Sequence, residues 1–373
     1  MRYVQINAFS NSWADQVIFK KHRELQAQGI DSYVFWGRGK PTQGDHEICL
    51  TPLWKSHIDA AQTRLDGRAG FHSVEATKRL LGLLDDIQPD VVHLHSLLGY
   101  YVNVEMLFDW LLRQRCKVLW TLHDCWAFTG HCMYFTYAGC DRWKNGGCTG
   151  KACKQLDTYP RTFCRQSVDW NFEQKKRIFT QLPADRLTLL APSQWMADMT
   201  RESFLAKYPV EVVHNTVDTR VFRPTVSDFR QTSGVGNRFM ILGVASLWSP
   251  RKGYEDLLRL ANDLDDRFAI VIVGLLSKQL EELPKNTPAK LVGVGRTDSR
   301  EQMVGIYSTA DVFFNPTKED NYPTVNLEAE ACGTPVVTYA VGGAAEAIHR
   351  RDSSAVYGYD EGIDVIKRMA AVW

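Results

Sequence analysis

No apolar run in this chain approaches the ~20 residues that a membrane-spanning helix requires. No basic, apolar and small-residue leader opens it either. The N-terminus runs straight into the strand-like Arg2-Tyr-Val-Gln-Ile6, so a cytoplasmic setting is expected, with peripheral contact at the inner face of a membrane left open. Net charge is nearly absent: 44 Lys and Arg against 43 Asp and Glu leave +1, so no charged field argues for a nucleic-acid partner. The cluster Lys20-Lys-His-Arg23 reads as a solvated helix face. Internal repeats and low-complexity segments are missing. So is G-x-G-x-x-G after the first strand of either half, which discounts hydride transfer on a dinucleotide fold. Gly234-Val-Gly236 precedes its strand and reads as a turn.

What the 373 residues do contain is alternation, with a length that suits two domains. Short β-rich runs are expected at Tyr3–Ile6, Ser32–Phe35, Val91–Leu94, Val118–Leu122, Leu187–Leu190 and Val210–Val213. A helix is expected from Ala14 to Gln28, with Val17, Ile18 and Leu25 on one face and Gly29 as its stop. After the polar connection His214–Pro224 the pattern restarts, at Phe239–Val244, Ala269–Val273, Lys290–Val292, Val312–Asn315, Pro335–Thr338 and Ala355–Tyr357. This predicts an α/β chain of two Rossmann-like domains, 1–220 and 221–373, facing each other across a cleft. Ligands in such sheets sit at the C-terminal strand ends, where Asp90-Val-Val-His-Leu-His95 carries polar residues.

The most informative stretch is Asn315-Pro-Thr-Lys-Glu-Asp-Asn-Tyr-Pro-Thr-Val-Asn-Leu-Glu-Ala-Glu-Ala-Cys-Gly-Thr-Pro335. Pro323 suits the first turn of a helix, and Gly333 with Pro335 marks its end. At ~100° per residue, Val325, Ala329, Ala331 and Cys332 form an apolar arc that contains Glu328, with Asn326 and Glu330 opposite. An inward carboxylate is costly unless paired. Either an internal donor satisfies Glu328, or it accepts hydrogen bonds from vicinal hydroxyls such as those of a ribose. The loop Glu319-Asp320-Asn321-Tyr322-Pro323-Thr324 would aim backbone N–H groups at a sugar diphosphate.

Asp320-x7-Glu328 followed by Ala-Glu-Ala-Cys-Gly-Thr-Pro-Val-Val resembles the E-x7-E motif of glycosyltransferase family 4, whose enzymes have the GT-B fold. The resemblance implies that Glu328 holds the donor ribose and that Asp320, or Glu319 beside it, contacts the transferred sugar. Arg251-Lys-Gly253 is similar to the family's Lys-Gly step and implies that Lys252, assisted by Arg251, neutralises the donor phosphates. Gly342-Gly343-Ala-Ala-Glu346 resembles its later glycine turn near the donor. His123-Asp124 falls where the family places a His facing the sugar. The run Leu119–Cys132, with Gly139-Cys-Asp-Arg-Trp143, Tyr159-Pro160 and Pro192-Ser-Gln-Trp195, resembles a bacterial polysaccharide-assembly subgroup that includes colanic acid enzymes.

On the acceptor side, Asp124, Trp126, Phe128 and Trp143 are candidates, the aromatics as stacking surfaces for sugar rings or as ordinary core. Cys132, Cys140, Cys148 and Cys153 follow a C-x7-C-x7-C-x4-C spacing without the C-x2-C of strong zinc motifs. Free thiols, one structural zinc and disulfides all remain open. The Lys144-Asn-Gly-Gly-Cys148 loop, poor in apolar residues, is the argument for metal. Two departures from the family pattern stand out. The stretch Ala8-Phe-Ser-Asn-Ser-Trp-Ala14 has no glycine where the family has a Gly-rich loop, and the chain stops at Trp373, soon after an amphipathic Gly362–Val372.

Taken together, the resemblance implies a retaining transferase moving a sugar from a UDP- or GDP-sugar to a saccharide or lipid-linked saccharide, with no cofactor required for catalysis. Two other readings fit the same residues: a catalytically weak pseudo-transferase that binds nucleotide, and a nucleotide-sugar epimerase.

Overall fold

The computed structural model describes residues 1–10, 13–39, 44–144 and 146–373, and the side chains of all of these but 13–16. Asn11 and Ser12 of the glycine-free stretch, and Asn145 of the cysteine-bearing loop, lie outside the described residues.

The chain divides into two compact units, Met1–His214 and Asn215–Trp373. The first carries strands β1 (Arg2–Phe9), β2 (Asp31–Arg38), β3 (Glu47–Cys49), β4 (Val91–Leu94), β5 (Lys117–Thr121), β6 (Leu187–Ala191) and β7 (Val210–Val212). Around them run helices α1 (Trp13–Ala27), α2 (Leu53–Asp66), α3 (Val74–Ile87), α4 (Val104–Arg113), α5 (Ser167–Phe179) and α6 (Gln194–Arg201). The strand order β3-β2-β1-β4-β5-β6-β7, parallel throughout, is doubly wound, with its switch point between β1 and β4.

The second unit repeats the plan with β8 (Phe239–Val244), β9 (Phe268–Val273), β10 (Lys290–Val294), β11 (Val312–Asn315), β12 (Val336–Tyr339) and β13 (Ser354–Val356). Its helices are α7 (Phe229–Thr232), α8 (Tyr254–Asp263), α9 (Ser277–Glu281), α10 (Arg300–Thr309), α11 (Thr324–Ala331) and α12 (Tyr359–Ala371). The order β10-β9-β8-β11-β12-β13, again all parallel, puts the switch point between β8 and β11. Strands covered by helices on both faces need apolar side chains on both, which is why β9 is buried at every position.

The expected strands fall on twelve of these, with shifts of up to three residues at their ends. β3 escaped because its three half-buried residues carry no alternation to read. Gly29, at φ 75°, closes the α1 region as expected. The division comes at residue 214 rather than 220 because the connection belongs to the second unit. Asn215 Nδ2 donates to the Tyr322 carbonyl at 3.2 Å, and Phe222 lies in that unit's core with Val217 against it.

Candidate active site

At the switch point of the second unit, the loops that follow β8 and β11 meet. A short 3-10 turn over Pro250–Lys252 delivers two cations immediately before α8, and Gly253 at φ 74° lets the chain turn there. A Cβ on Gly253 would lie 2.1 Å from the Pro316 carbonyl oxygen, so the two loops touch backbone to backbone. Lys318 N–H donates to the Arg251 carbonyl at 2.7 Å, and Arg251 Nη1 donates to the Glu319 carbonyl at 2.5 Å. Lys252 Nζ donates to Asp320 Oδ2 at 2.6 Å, with Arg251 at 4.0 Å from the same oxygen. Burial acts to raise the Asp320 carboxyl, but Lys252 and then Arg251 outweigh it and hold the group below the ordinary carboxylate range.

The glycine turn fixes the carboxylate from behind. Gly343 N–H donates to the Asp320 carbonyl at 2.9 Å, and a Cβ on Gly342 would stand 2.2 Å from that oxygen. Gly342 and Gly343 therefore position Asp320 through its backbone. Glu319 is fully buried, and its carbonyl also accepts from Thr317 Oγ1 at 3.1 Å.

Glu328 does point inward from α11, and one of its partners is a phenol. Tyr307 of α10 donates its hydroxyl to Glu328 Oε2 at 2.9 Å. Burial, then the adjacent carboxylate, keeps this phenol protonated and so a donor. The expectation for Asn326 is corrected. It is fully buried, not outward, because α11 is enclosed on both flanks. Its amide accepts from Asn315 Nδ2 at 2.8 Å and donates to the Ala344 carbonyl at 3.3 Å. Glu330 takes N–H bonds from His349 and Arg350 and a hydroxyl bond from Ser353, which closes the turn before β13. Tyr322 shares a hydrogen bond with His349 Nε2 at 3.2 Å, and Pro323 caps α11 at Thr324.

The first unit treats its candidates differently. His123, just beyond β5, shares a 3.2 Å hydrogen bond with His95 Nδ1, and burial lowers it to about 4. Asp124 accepts from Trp126 N–H at 2.8 Å and caps a 3-10 turn; burial pushes its carboxyl up to about 6. Of the two readings open for Trp126, Phe128 and Trp143, the structure favours core. All three are buried, Phe128 and Trp143 pack with centroids 5.1 Å apart, and Trp126 lies 4.1 Å from the buried Lys175 ammonium.

None of the nine cysteines is paired in a disulfide. Cys132 and Cys153 share a thiol hydrogen bond, and Cys140 and Cys148 lie within electrostatic reach of Cys132. Among the described residues, no three His, Cys, Asp or Glu side chains are gathered as a metal site. No described helix is long and apolar enough to cross a membrane.

Residues 15–221 match the family profile described as Glycosyltransferase Family 4, and residues 227–359 match that of Glycosyl transferases group 1. A colanic acid biosynthesis glycosyl transferase named WcaC, from Escherichia coli (strain K12), is 24% identical over 95% of this chain and 87% of its own. A D-inositol 3-phosphate glycosyltransferase of Mycolicibacterium smegmatis is 34% identical over 41% of this chain and 37% of its own. Among solved structures, sucrose-phosphate synthase from Thermosynechococcus elongatus superimposes with a TM-score of 0.68 at 16% identity, over 100% of this chain and 90% of that one. Anabaena HepE in complex with UDP and glucose gives 0.61 at 14%, over 99% and 90%.

Proposed function

Because the chain belongs to glycosyltransferase family 4, we propose that it transfers a sugar, with retention, from a nucleotide-sugar donor to a saccharide or lipid-linked saccharide in bacterial polysaccharide assembly. The observation that carries this reading is the Lys252–Asp320 pair at the switch point of the second unit, with Arg251 beside it. Two cations gathered ahead of a helix N-terminus suit a diphosphate. An arriving diphosphate takes Lys252 from Asp320, and the released carboxylate is then free to accept hydrogen bonds from the sugar hydroxyls. Glu328, held by Tyr307, keeps acceptor capacity for ribose hydroxyls. As the acceptor oxygen bonds to the anomeric carbon and the bond to the nucleoside diphosphate breaks, the hydroxyl proton passes to the departing phosphate, whose charge Lys252 and Arg251 stabilise. His123, carried over from the family as a sugar contact, acts as a neutral imidazole.

The test is a thermal-shift titration with UDP, GDP and ADP alongside a transfer assay, on the native chain and on Glu328→Ala. One nucleotide should raise the melting point, and Glu328→Ala should weaken that response about tenfold and abolish transfer. Nucleotide binding with no turnover on any donor would favour the pseudo-transferase. Turnover of a nucleotide-sugar without any acceptor would favour the epimerase.

A structural zinc on Cys132, Cys140, Cys148 and Cys153 is a separate proposal. It is supported by the hydrogen bond between Cys132 and Cys153 and by the electrostatic influence of Cys140 and Cys148 on Cys132, around a loop with few apolar side chains; the four thiols would have to close up further to ligate one ion. Elemental analysis of the purified chain should then give about one zinc per chain, released by a thiol reagent. Metal-free protein with every thiol titratable would remove it.

A further inference from the structure

Helix α2 is built inside out. A surface helix ordinarily buries its apolar stripe and shows its polar side to water. Here the buried positions are Ser56, Asp59 and Thr63. They form a polar seam: Thr63 Oγ1 donates to Asp59 Oδ1 at 3.3 Å, and Ser73 donates to the other oxygen of the same carboxyl. The apolar side chains face outward, with Trp54 59%, Ile58 50% and Leu65 74% exposed. At ~100° per residue these three fall within an arc of about 40°, and the exposed Lys55 and Arg64 stand about 90° to either side. The helix ends beside a second exposed ring. Phe163 is 66% exposed, and its N–H donates to the Arg64 carbonyl at 2.9 Å. Arg161 and Arg165, on either side of it, are exposed as well.

We propose that this face is a docking surface for an anionic lipid bilayer. A contiguous apolar arc on the surface marks an interaction site rather than leftover core, all the more when the same helix has buried its polar side instead. The arc's chemistry is that of a membrane interface. A tryptophan suits the headgroup level, and Lys55 and Arg64 flank the arc where their stems can follow it inward while their charges reach lipid phosphates. A second copy of the chain is a poor occupant, because a two-fold contact would set Lys55, Arg64, Arg161 and Arg165 against the same cations. Among the described residues, the ion pair at these cations is Asp157 with Arg161 at 3.9 Å. The inference is independent of the donor site, and it places the enzyme where a lipid-linked acceptor would be carried.

The experiment is cosedimentation of the full chain with phosphatidylcholine vesicles, with and without phosphatidylglycerol, at low and high salt. The native chain should bind the phosphatidylglycerol vesicles and be released by salt. A Trp54→Ser/Ile58→Ser/Leu65→Ser variant should bind about tenfold or more weakly, with its melting point and its nucleotide response unchanged. If that variant folds poorly, Leu65→Ser alone, at the most exposed position of the three, should still weaken binding severalfold. No vesicle binding by the native chain overturns the proposal. So does equal binding by the variants, or a native dimer without vesicle binding that the triple variant turns into a monomer.

Discussion

Lys252→Ala is expected to slow sugar transfer by about 100-fold or more, the scale at which a preorganised charge on a leaving group is felt. The same change should also lower the melting point, and the two effects must be separated. Lys252 and Asp320 are 2.6 Å apart with side chains 21% and 11% exposed, so removing the cation leaves a mostly buried carboxylate with Arg251 4.0 Å away. Residual solvent and Arg251 keep the penalty below that of a fully buried pair, at about 1–2 kcal/mol. Lys252→Ala/Asp320→Asn removes both charges and should recover most of that stability while transfer stays lost. Initial rates and melting points measured on the single and double variants decide the matter. If the rate returns with the stability, Lys252 serves only as a structural partner for Asp320.

That pair also shows how far the sequence carried. Asp320, Glu328, Lys252 and the two glycines could be picked out because their spacing is local: each motif is a loop entering a helix. What brings them together is the β8–β11 adjacency, and a parallel sheet of this order is implied by alternation only in outline. Tyr307 went unnoticed for the opposite reason. It lies 21 residues from Glu328, in the last turn of α10, and nothing near it in the chain shows that its hydroxyl finds a carboxylate. The inward turn of Asn326 was missed because a helical wheel assumes one wet face, whereas α11 is only eight residues long and enclosed.

In the first unit the same reasoning leaves the aromatics undecided and passes over helix polarity. A run such as Trp126-Ala-Phe128 has the composition of a sugar platform and of a core, and only burial separates them. Here the aromatic segment packs over Lys175, whose ammonium donates to the Trp126 carbonyl at 2.6 Å. The inverted α2 has the periodicity of an ordinary amphipathic helix. Periodicity gives the stripe, and tertiary context gives the side that faces in. His93 and His95 do lie at the buried C-terminal end of β4; the sequence does not show that they form an array with His123, His95 tilted against His93 and stacked on His123.

That array, with the buried His131, should make the first unit acid-labile well above the carboxylate range. Burial lowers His93 to about 3 and both His123 and His131 to about 4, and the nearby charges of Lys21 on His93 and Lys175 on His131 act in the same direction. In the unfolded chain each titrates near 6.5. Between about 6.5 and 4 the unfolded chain therefore holds more protons than the folded one, so stability rises with pH across that window. The contribution is fully present above about 6.5 and is lost as the pH falls toward the folded values. His93 and His131 should each cost about 2 kcal/mol by pH 5, and His123, which is partly exposed, somewhat less. Asp124 works the other way. With its carboxyl raised to about 6, it takes up a proton in the folded chain first and returns about 1 kcal/mol over the same range. The balance is a loss of about 3 kcal/mol or more, which for a unit of this size is a fall of roughly 10 °C in melting temperature. Calorimetry of the full chain from pH 7.5 to 5 measures it, in the transition that nucleotide does not raise. His131→Asn should flatten part of the slope. A midpoint constant down to pH 5 would mean that these imidazoles accept protons without cost, and the burial argument for a neutral His123 would go with it.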